Sequence, residues 1–389
     1  MSVEWYDLGL RLRARDSGQP QPRLLHAPVA PADHPVAVRA HTTGSRVQIS
    51  AAAWDDPAPR TATGADALRL LGDLGVTLTA PTPATLVSDQ PDVLTHLLAL
   101  ARGASHDSPA AAVAAHVGWW SEREDFPGGH AVVQTTDAAR LRWVTGSAPA
   151  AERAPGTWQR ALGIRDDSVR GLLDVHRLLT EGRALPWLDD LGEDAEWTYG
   201  AAQRQHTDGW DWRRTDSTSR AALGLRSRCD AADLYAAALL ADPLHRARAV
   251  HTGHVVTGRA HPLGDRLRRC QVTCARLDAR LRAGTQVLGW TGTPTQATRQ
   301  TFTASVTDTD VQHGRLVLTL SGTTGAAPGD GEPVSLHAAG PHPARQRAGR
   351  RSYRSLLAAR RSWLTTGRTP TPTRREVPLD VLVAGAGAD

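Results

Sequence analysis

Between residues 266 and 364 the chain repeatedly alternates apolar and polar side chains with a period of two, and that pattern leaves few folds open. Cys270, Val272 and Cys274 alternate with Arg269, Gln271 and Thr273. Successive side chains of a strand point to opposite faces, so this spacing marks a half-buried strand. Gln286 to Trp290 forms a second candidate. In a third, Phe302, Ala304 and Val306 share one face while Thr301, Thr303 and Ser305 share the other. Leu316, Leu318 and Leu320 alternate in a fourth, and Val334 and Leu336 in a short last one. Gln312-His313-Gly314 and Gly329-Asp330-Gly331 supply turns between them. Short strands at regular spacing with Gly-rich turns specify a small barrel or sandwich.

An arginine-studded segment follows, from Arg345 to Leu364. At helical spacing Tyr353, Leu356, Leu357 and Leu364 share a stripe, and Arg347, Arg350, Arg351, Arg354 and Arg361 fall on the other side. Arg360 lands within the apolar stripe, where its stem can lie along apolar surface with the charge in water. The pattern predicts a helix that docks by its apolar face and presents a basic one. Gly367 and Pro370 end it.

The string R-L-R-A-G-T-Q-V-L-G-W, followed by F-T-A-S-V, R-L-V-L-T-L and the S-Y-R-S-L-L of the helix, resembles the β-barrel inserted before the ATPase core of Upf1-like superfamily 1 helicases. The resemblance covers about a quarter of the chain. It implies a barrel that lies against single-stranded nucleic acid, with a helix leading away from it. Thr285 stands where that family usually has an acidic residue, and the chain stops where the family's phosphate-binding loop would begin. The resemblance therefore implies a fold and a surface rather than a motor.

Composition narrows the chemistry. All of the chain's 45 basic residues are arginine; there is no lysine and no asparagine. GC-rich coding accounts for this bias more simply than selection for arginine. The absence still excludes mechanisms. A Walker A loop needs lysine on the phosphates, a Schiff-base enzyme needs it as nucleophile, and the usual PD-(D/E)xK nuclease motif ends in it. Aromatic residues are skewed towards 12 Trp against 2 Phe and 4 Tyr. The net charge of +5 is uneven, with an Arg-rich last hundred residues and an acidic run at 189–196. Such asymmetry suits a nucleic acid or an acidic partner, or equally a solubilising surface. Three cysteines are too few for a disulfide framework. No basic, apolar leader opens the chain, and its longest apolar run, Leu234 to Ala241, is far short of a membrane span. A cytoplasmic protein without membrane contact is expected.

The remainder reads mainly as helix. Residues 1–35 are Pro- and Arg-rich after a short helical start and suggest an arm. Val36 and Val38 with Val47 and Ile49 predict a hairpin around Thr43-Gly44. Helices are predicted over Asp66–Leu74, after Pro91, after Ser108-Pro109 and over Asp137–Val144, with a linker at 148–155. Another follows the Asp166-Asp167-Ser168 cap, whose acids suit the helix dipole. Helical patterns resume at 193–206, 217–226 and 230–241. Residues 365–375 read as a tether and 377–383 as a last strand-like segment.

Each candidate site has a plainer alternative. Trp210, Trp212, Arg213 and Arg214 interleave stacking groups with charge, as a single-strand binder does; the alternative is an inter-helix corner in which the Trp are core and the Arg pair with Asp. Cys229, His251, His254, Cys270 and Cys274 offer zinc-ligand chemistry, but Cys270 and Cys274 would sit about 13 Å apart along one strand. The pairs Asp166/Asp167, Asp189/Asp190 and Glu193/Asp194 read as caps and solvated faces, and His106 and His116 have no nucleophile at a diagnostic spacing. No metal, cofactor or catalytic residue is expected.

The fold expected is α+β: residues 1–60 an N-terminal arm and hairpin, 61–250 a mainly helical domain, 251–340 a small β-barrel, 341–389 a basic helix and tail. The function expected is that of a non-enzymatic nucleic-acid-binding or accessory protein. Arg345, Arg347, Arg350, Arg351, Arg354 and Arg361 would hold the phosphates of single-stranded DNA or RNA, while Trp290 and Trp363 stack bases. The alternatives are a scaffold docking a separate helicase-like subunit, and an enzyme of unrecognised type.

Overall fold

The computed structural model describes residues 2–44, 46–56, 58–105, 107–213, 216–264, 268–296, 301–360 and 366. The tether expected at 365–375 (apart from Thr366), the strand-like segment at 377–383, and His106, Arg214, Arg361 and Trp363 lie outside them. The chain forms two compact units, Met1–Arg214 with Arg228–Pro343, and Thr215–Ser227 with Ala344–Asp389. The architecture is α+β, with a mixed N-terminal region, a helical middle, a closed barrel and a final helix.

The larger unit begins with α1 (Val3–Ser17), β1 (Gln21–Pro22) and the hairpin β2 (Pro35–Thr43) and β3 (Arg46–Ala53), followed by β4 (Arg60–Thr63) and α2 (Ala65–Asp73). Next come β5 (Thr85–Ser88), α3 (Val93–Arg102), α4 (Ala111–Arg123), β6 (Val132–Gln134), α5 (Thr135–Arg142) and β7 (Trp143–Val144). The five-stranded sheet has the order β4-β3-β2-β5-β6. Strands β2, β5 and β6 run parallel, while β3 is antiparallel to its neighbours β2 and β4. Side chains alternate across the sheet: Val36, Val38 and Ala40 join one core with α2, α3 and α4, and Ala37 joins the opposite core. The expected hairpin is present, but it shares its sheet with β5 and β6, from the stretch expected to be helical. Every residue of β5 is buried. A strand covered on both faces shows no alternation, so periodicity does not reveal it.

The opposite core is closed by α6 (Thr157–Ala161) and α7 (Gly171–Thr180). The stretch expected to be a linker at 148–155 instead carries Glu152, which is fully buried. It accepts two bonds from Arg11 of α1, at 2.7 and 3.0 Å, and two from Thr145, at 2.8 and 2.9 Å. The expected arm is thus a docked helix, held by an ion pair that neither segment reveals in isolation.

On the first face, the loop between α2 and β5 is held by the polar tips of aromatic side chains from α4 and α8 (Leu188–Thr207). The Tyr199 hydroxyl donates to the carbonyls of Thr77 and Ala80, and the Trp120 indole donates to Ala84. His116 lies edge-on to Trp119, Trp120 and Tyr199, and burial pulls its imidazole down to about 4. Burial does the same to His176 on α7. The long helix α9 (Thr218–Leu239) then leads to α10 (Pro243–Val250). In the larger unit Ala231, Leu234 and Ala238 of α9 pack with Leu185, Leu188 and Leu191.

Asp242 joins this region to the barrel. One carboxylate oxygen accepts from the N–H groups of Leu244 and His245, capping α10. The other accepts from the backbone N–H groups of Leu25 and His26 and from His26 Nδ1, at 2.7 to 2.8 Å. The side chain is fully buried, and these donors hold its carboxyl below the usual aspartate value against the opposing effect of burial.

The barrel consists of β8 (Val255–Pro262), β9 (Cys270–Cys274), β10 (Gln286–Thr291), β11 (Thr301–Gln312), β12 (Arg315–Gly325) and β13 (Pro333–Ala338), closed in the order β10-β11-β12-β9-β8-β13. All of its pairs are antiparallel. The expected strands are present, with the alternating residues inside. Strand β8 adds a sixth; its Val-Val-Thr-Gly-Arg start does not alternate. Gly258 is needed there because a Cβ would fall 2.5 Å from the carbonyl oxygen of Thr273. A Cβ on Gly289 would meet the Phe302 ring at 2.3 Å. Between β11 and β12 the hairpin turns at His313 and Gly314, both with positive φ, as a two-residue hairpin loop requires. Beyond Val306, β11 has no strand partner on its β10 side among the described residues, and there Asp308 and Asp310 accept from the N–H groups of Thr309 and Val311.

Three expectations follow. Gly289→Ala overpacks the barrel and lowers stability by about 1–3 kcal/mol in urea unfolding. Asp242→Asn leaves donors facing a donor in a buried site and costs about 3–5 kcal/mol on the same assay. His116 and His176, ordinarily near 6.5, are neutral inside, so stability is full above pH 6.5 and falls as pH drops towards 4. The Asp242 contribution is retained at that stage and is lost only as pH falls through its lowered value. Urea midpoints from pH 7 to 3 check the order of these two losses.

Candidate nucleic-acid interface

The smaller unit carries α11 (Pro343–Ala358), in which five of sixteen residues are arginine and none is acidic. No residue of this helix is fully buried. Its half-buried stripe runs through Gln346, Arg347, Arg350, Tyr353, Arg354 and Leu357, at the three- and four-residue spacing of one helix face. Arg345, Arg351 and Leu356 are exposed, Leu356 at 48%. This corrects the faces drawn from the sequence. Tyr353 and Leu357 do lie on the packed side, but three arginines expected outside join them, and Leu356, expected inside, faces water. A guanidinium on a long apolar stem can lie on a packed face with its charge at the edge, so counting arginine as polar misplaces the boundary. Of the five candidate arginines on this helix, Arg345 and Arg351 are the exposed ones.

The other sequence candidates divide. Trp290 is 3% exposed; its indole donates to the Thr293 carbonyl, Arg246 lies over its ring at 5.0 Å, and His337 meets it edge-on. The ring is buried and one of its faces is covered by Arg246, so the stacking on a base expected of it has no open face in this arrangement. Trp212 packs against the first core, its ring filling the space where Gly118 lacks a side chain. Arg213 bonds Asp211 and donates to the carbonyls of Arg102 and Ala104. That is the inter-helix corner weighed above. Trp210 is 48% exposed. Among the described candidates, Trp290, Trp212 and Arg213 are thus engaged within the larger unit, to which Trp210 also belongs, while the arginines of α11 belong to the smaller.

Sequence reasoning passed over the carboxyl ends of the parallel strands, where open α/β sheets commonly bind ligands. Arg39 of β2 holds the buried Asp89 at the end of β5 through two bonds of 2.8 and 2.9 Å. Asp89 also accepts from the Gly156 N–H, and Arg39 donates to Gln159 and to the Asp167 carbonyl. Gln159 in turn donates to the carbonyls of Asp166 and Ser168. The chain from α6 to α7 thus crosses this end of the sheet and satisfies its charges. Asp166, expected to cap the helix, serves this crossing instead: its carboxylate accepts from the Ser168 N–H before α7 begins at Gly171, and residue 167 takes part through its carbonyl.

The possible metal ligands do not converge. Cys270 and Cys274 both point into the barrel, where burial raises their thiols, Cys274 to about 12, while Cys229 is exposed on α9. His251 stacks near Tyr6, and His254 meets Thr252 and Arg280. Among the described residues no three His, Cys, Asp or Glu side chains gather to hold a metal ion. Nor, among them, is any helix long and apolar enough to cross a membrane. Compared with protein-family models, curated proteins and solved structures, the chain matches none.

Proposed function

We propose that the chain is a non-enzymatic nucleic-acid-binding or accessory protein that holds single-stranded DNA or RNA on the smaller unit through guanidinium–phosphate contacts. The observation that carries this reading is where the charge lies. Residues 343–389 hold ten arginines against three acids, more excess positive charge than the whole chain's net +5. The rest of the chain is close to neutral. A solubilising surface intersperses both signs; a phosphate-tracking surface concentrates one. Arginine suits the task, because its planar fork pairs with phosphate oxygens in two parallel bonds. Arg345 and Arg351 are the leading phosphate contacts. Arg347, Arg350 and Arg354 contribute both to packing and to the field.

A second reading, a scaffold docking a protein partner such as a helicase-like subunit, is favoured by Leu356, which is exposed on the same helix. Fluorescence anisotropy with labelled single-stranded DNA and RNA, in a series from 50 to 200 mM salt, separates the two. Nucleic-acid binding predicts affinity that falls steeply with salt, and Arg345→Ala/Arg351→Ala should flatten the slope by about 0.7 per arginine removed. Trp290→Phe should leave binding unchanged. No binding at the lowest salt, where the electrostatic attraction is strongest, rejects this reading in favour of the scaffold.

A further inference from the structure

The face of α1 that looks away from the protein carries three large apolar side chains over its first three turns, with Arg15 and Asp16 beyond them. Trp5, Leu8 and Leu12 are 65%, 42% and 50% exposed, and their three- and four-residue spacing puts them in one line. Apolar residues scattered singly over a surface are ordinary; three in line on one helix form a patch that another surface would cover. The helix itself is firmly seated. Leu10 and Ala14 are buried, Arg11 holds Glu152, and Asp7 accepts from Arg248 at 3.0 Å.

We infer that α1 is the interface for a second copy of this chain, pairing antiparallel with its own counterpart about a two-fold axis. The sequence of the helix is complementary to its own reverse. Antiparallel pairing that sets Trp5 opposite Leu12 of the other copy sets Leu8 opposite Gly9. A large side chain then faces a position without one, and a Cβ at Gly9 would meet nothing within 4 Å, so the space is open. The charged ends match as well. Exposed Glu4 lies at the amino end, while at the carboxyl end exposed Arg13 and Arg15 outnumber the exposed Asp16. In the same register Glu4 of each copy comes within about 3 Å, measured along the axis, of the level of Arg15 in the other. A parallel pair would instead set Glu4 beside Glu4 and Arg15 beside Arg15. A two-fold axis satisfies both copies with one patch, as isologous dimers do. A single pair of short helices covers less than the standard interface of about 1,600 Å², so the dimer is reversible.

Sedimentation velocity over a concentration series tests this on the full chain. The wild type should pass from the 41.6 kDa monomer to a dimer by about 100 µM, within the weak range of specific association. Leu8→Glu should remain monomeric with an unchanged circular dichroism spectrum, since the side chain is exposed. Glu4→Arg and Arg15→Glu should each weaken the dimer severalfold, and the double variant should recover most of the loss. A wild type that stays monomeric throughout overturns the proposal. So does a dimer indifferent to Leu8→Glu, or one whose two charge reversals do not compensate.

Discussion

One buried carboxylate connects the two main parts of the larger unit. Asp242 caps α10, whose other end leads directly into the first barrel strand, and with its second oxygen it gathers the backbone of Leu25 and His26 from the N-terminal region. An ionised carboxylate out of water is costly unless its lone pairs are filled. Here they are filled by donors from both sides, so the charge is tolerable only while both parts are in place. The ion pair of Arg248 with Asp7 and the Tyr6–His251 contact reinforce the same junction. Arg11–Glu152 and Arg39–Asp89 apply similar chemistry within the N-terminal region, each tying distant segments of chain around one buried acid. With arginine as the sole basic long side chain, a fork that fills both oxygens of a carboxylate is available at every such point.

The barrel was legible because its strands are covered on one face only. Cys270, Val272 and Cys274, or Phe302, Ala304 and Val306, record in sequence which way each side chain points. Helices α2 and α3, which bury one face, were legible for the same kind of reason, whereas the hairpin β2–β3 was legible from Val36, Val38, Val47 and Ile49 although Ala37 and Ala52 join the opposite core. Strands β5 and β6 were not. They lie between two helical layers, and a short run such as Thr-Leu-Val-Ser has no polar face to set its period. The helical start of residues 1–35 was legible, but its anchoring to the stretch at 148–155 was not. Each looks unanchored alone, and the bond between Arg11 and Glu152 spans far too much sequence for any local pattern to record.

The candidate interface was legible in composition and less so in geometry. The run of arginines without acids across α11 is plain, but which of them face water depends on what the helix packs against. Trp290 shows the converse. An aromatic residue in a barrel strand invites comparison with base-stacking surfaces, yet its ring packs with Ala249 of α10 and Val255 of β8 and is covered by Arg246. Trp212 likewise fills a gap left by a glycine. Large aromatic side chains find burial wherever space allows, so in a chain this rich in tryptophan their number says little about ligands.

Barrel closure also has a consequence for synthesis. The first strand, β8, pairs with the last, β13, and β13 pairs with β10 as well. Until Ala338 has left the ribosome, both strands wait with unsatisfied hydrogen-bonding edges. At about 5–20 residues per second, the span from Val255 to Ala338 takes roughly 4–17 s to translate, far longer than local hairpins need to form. During that interval the β11–β12 hairpin can already form, and Asp308 and Asp310 blunt the outer edge of its far end against pairing with other nascent chains. Side chains along an exposed strand edge thus protect the chain while its fold is still open.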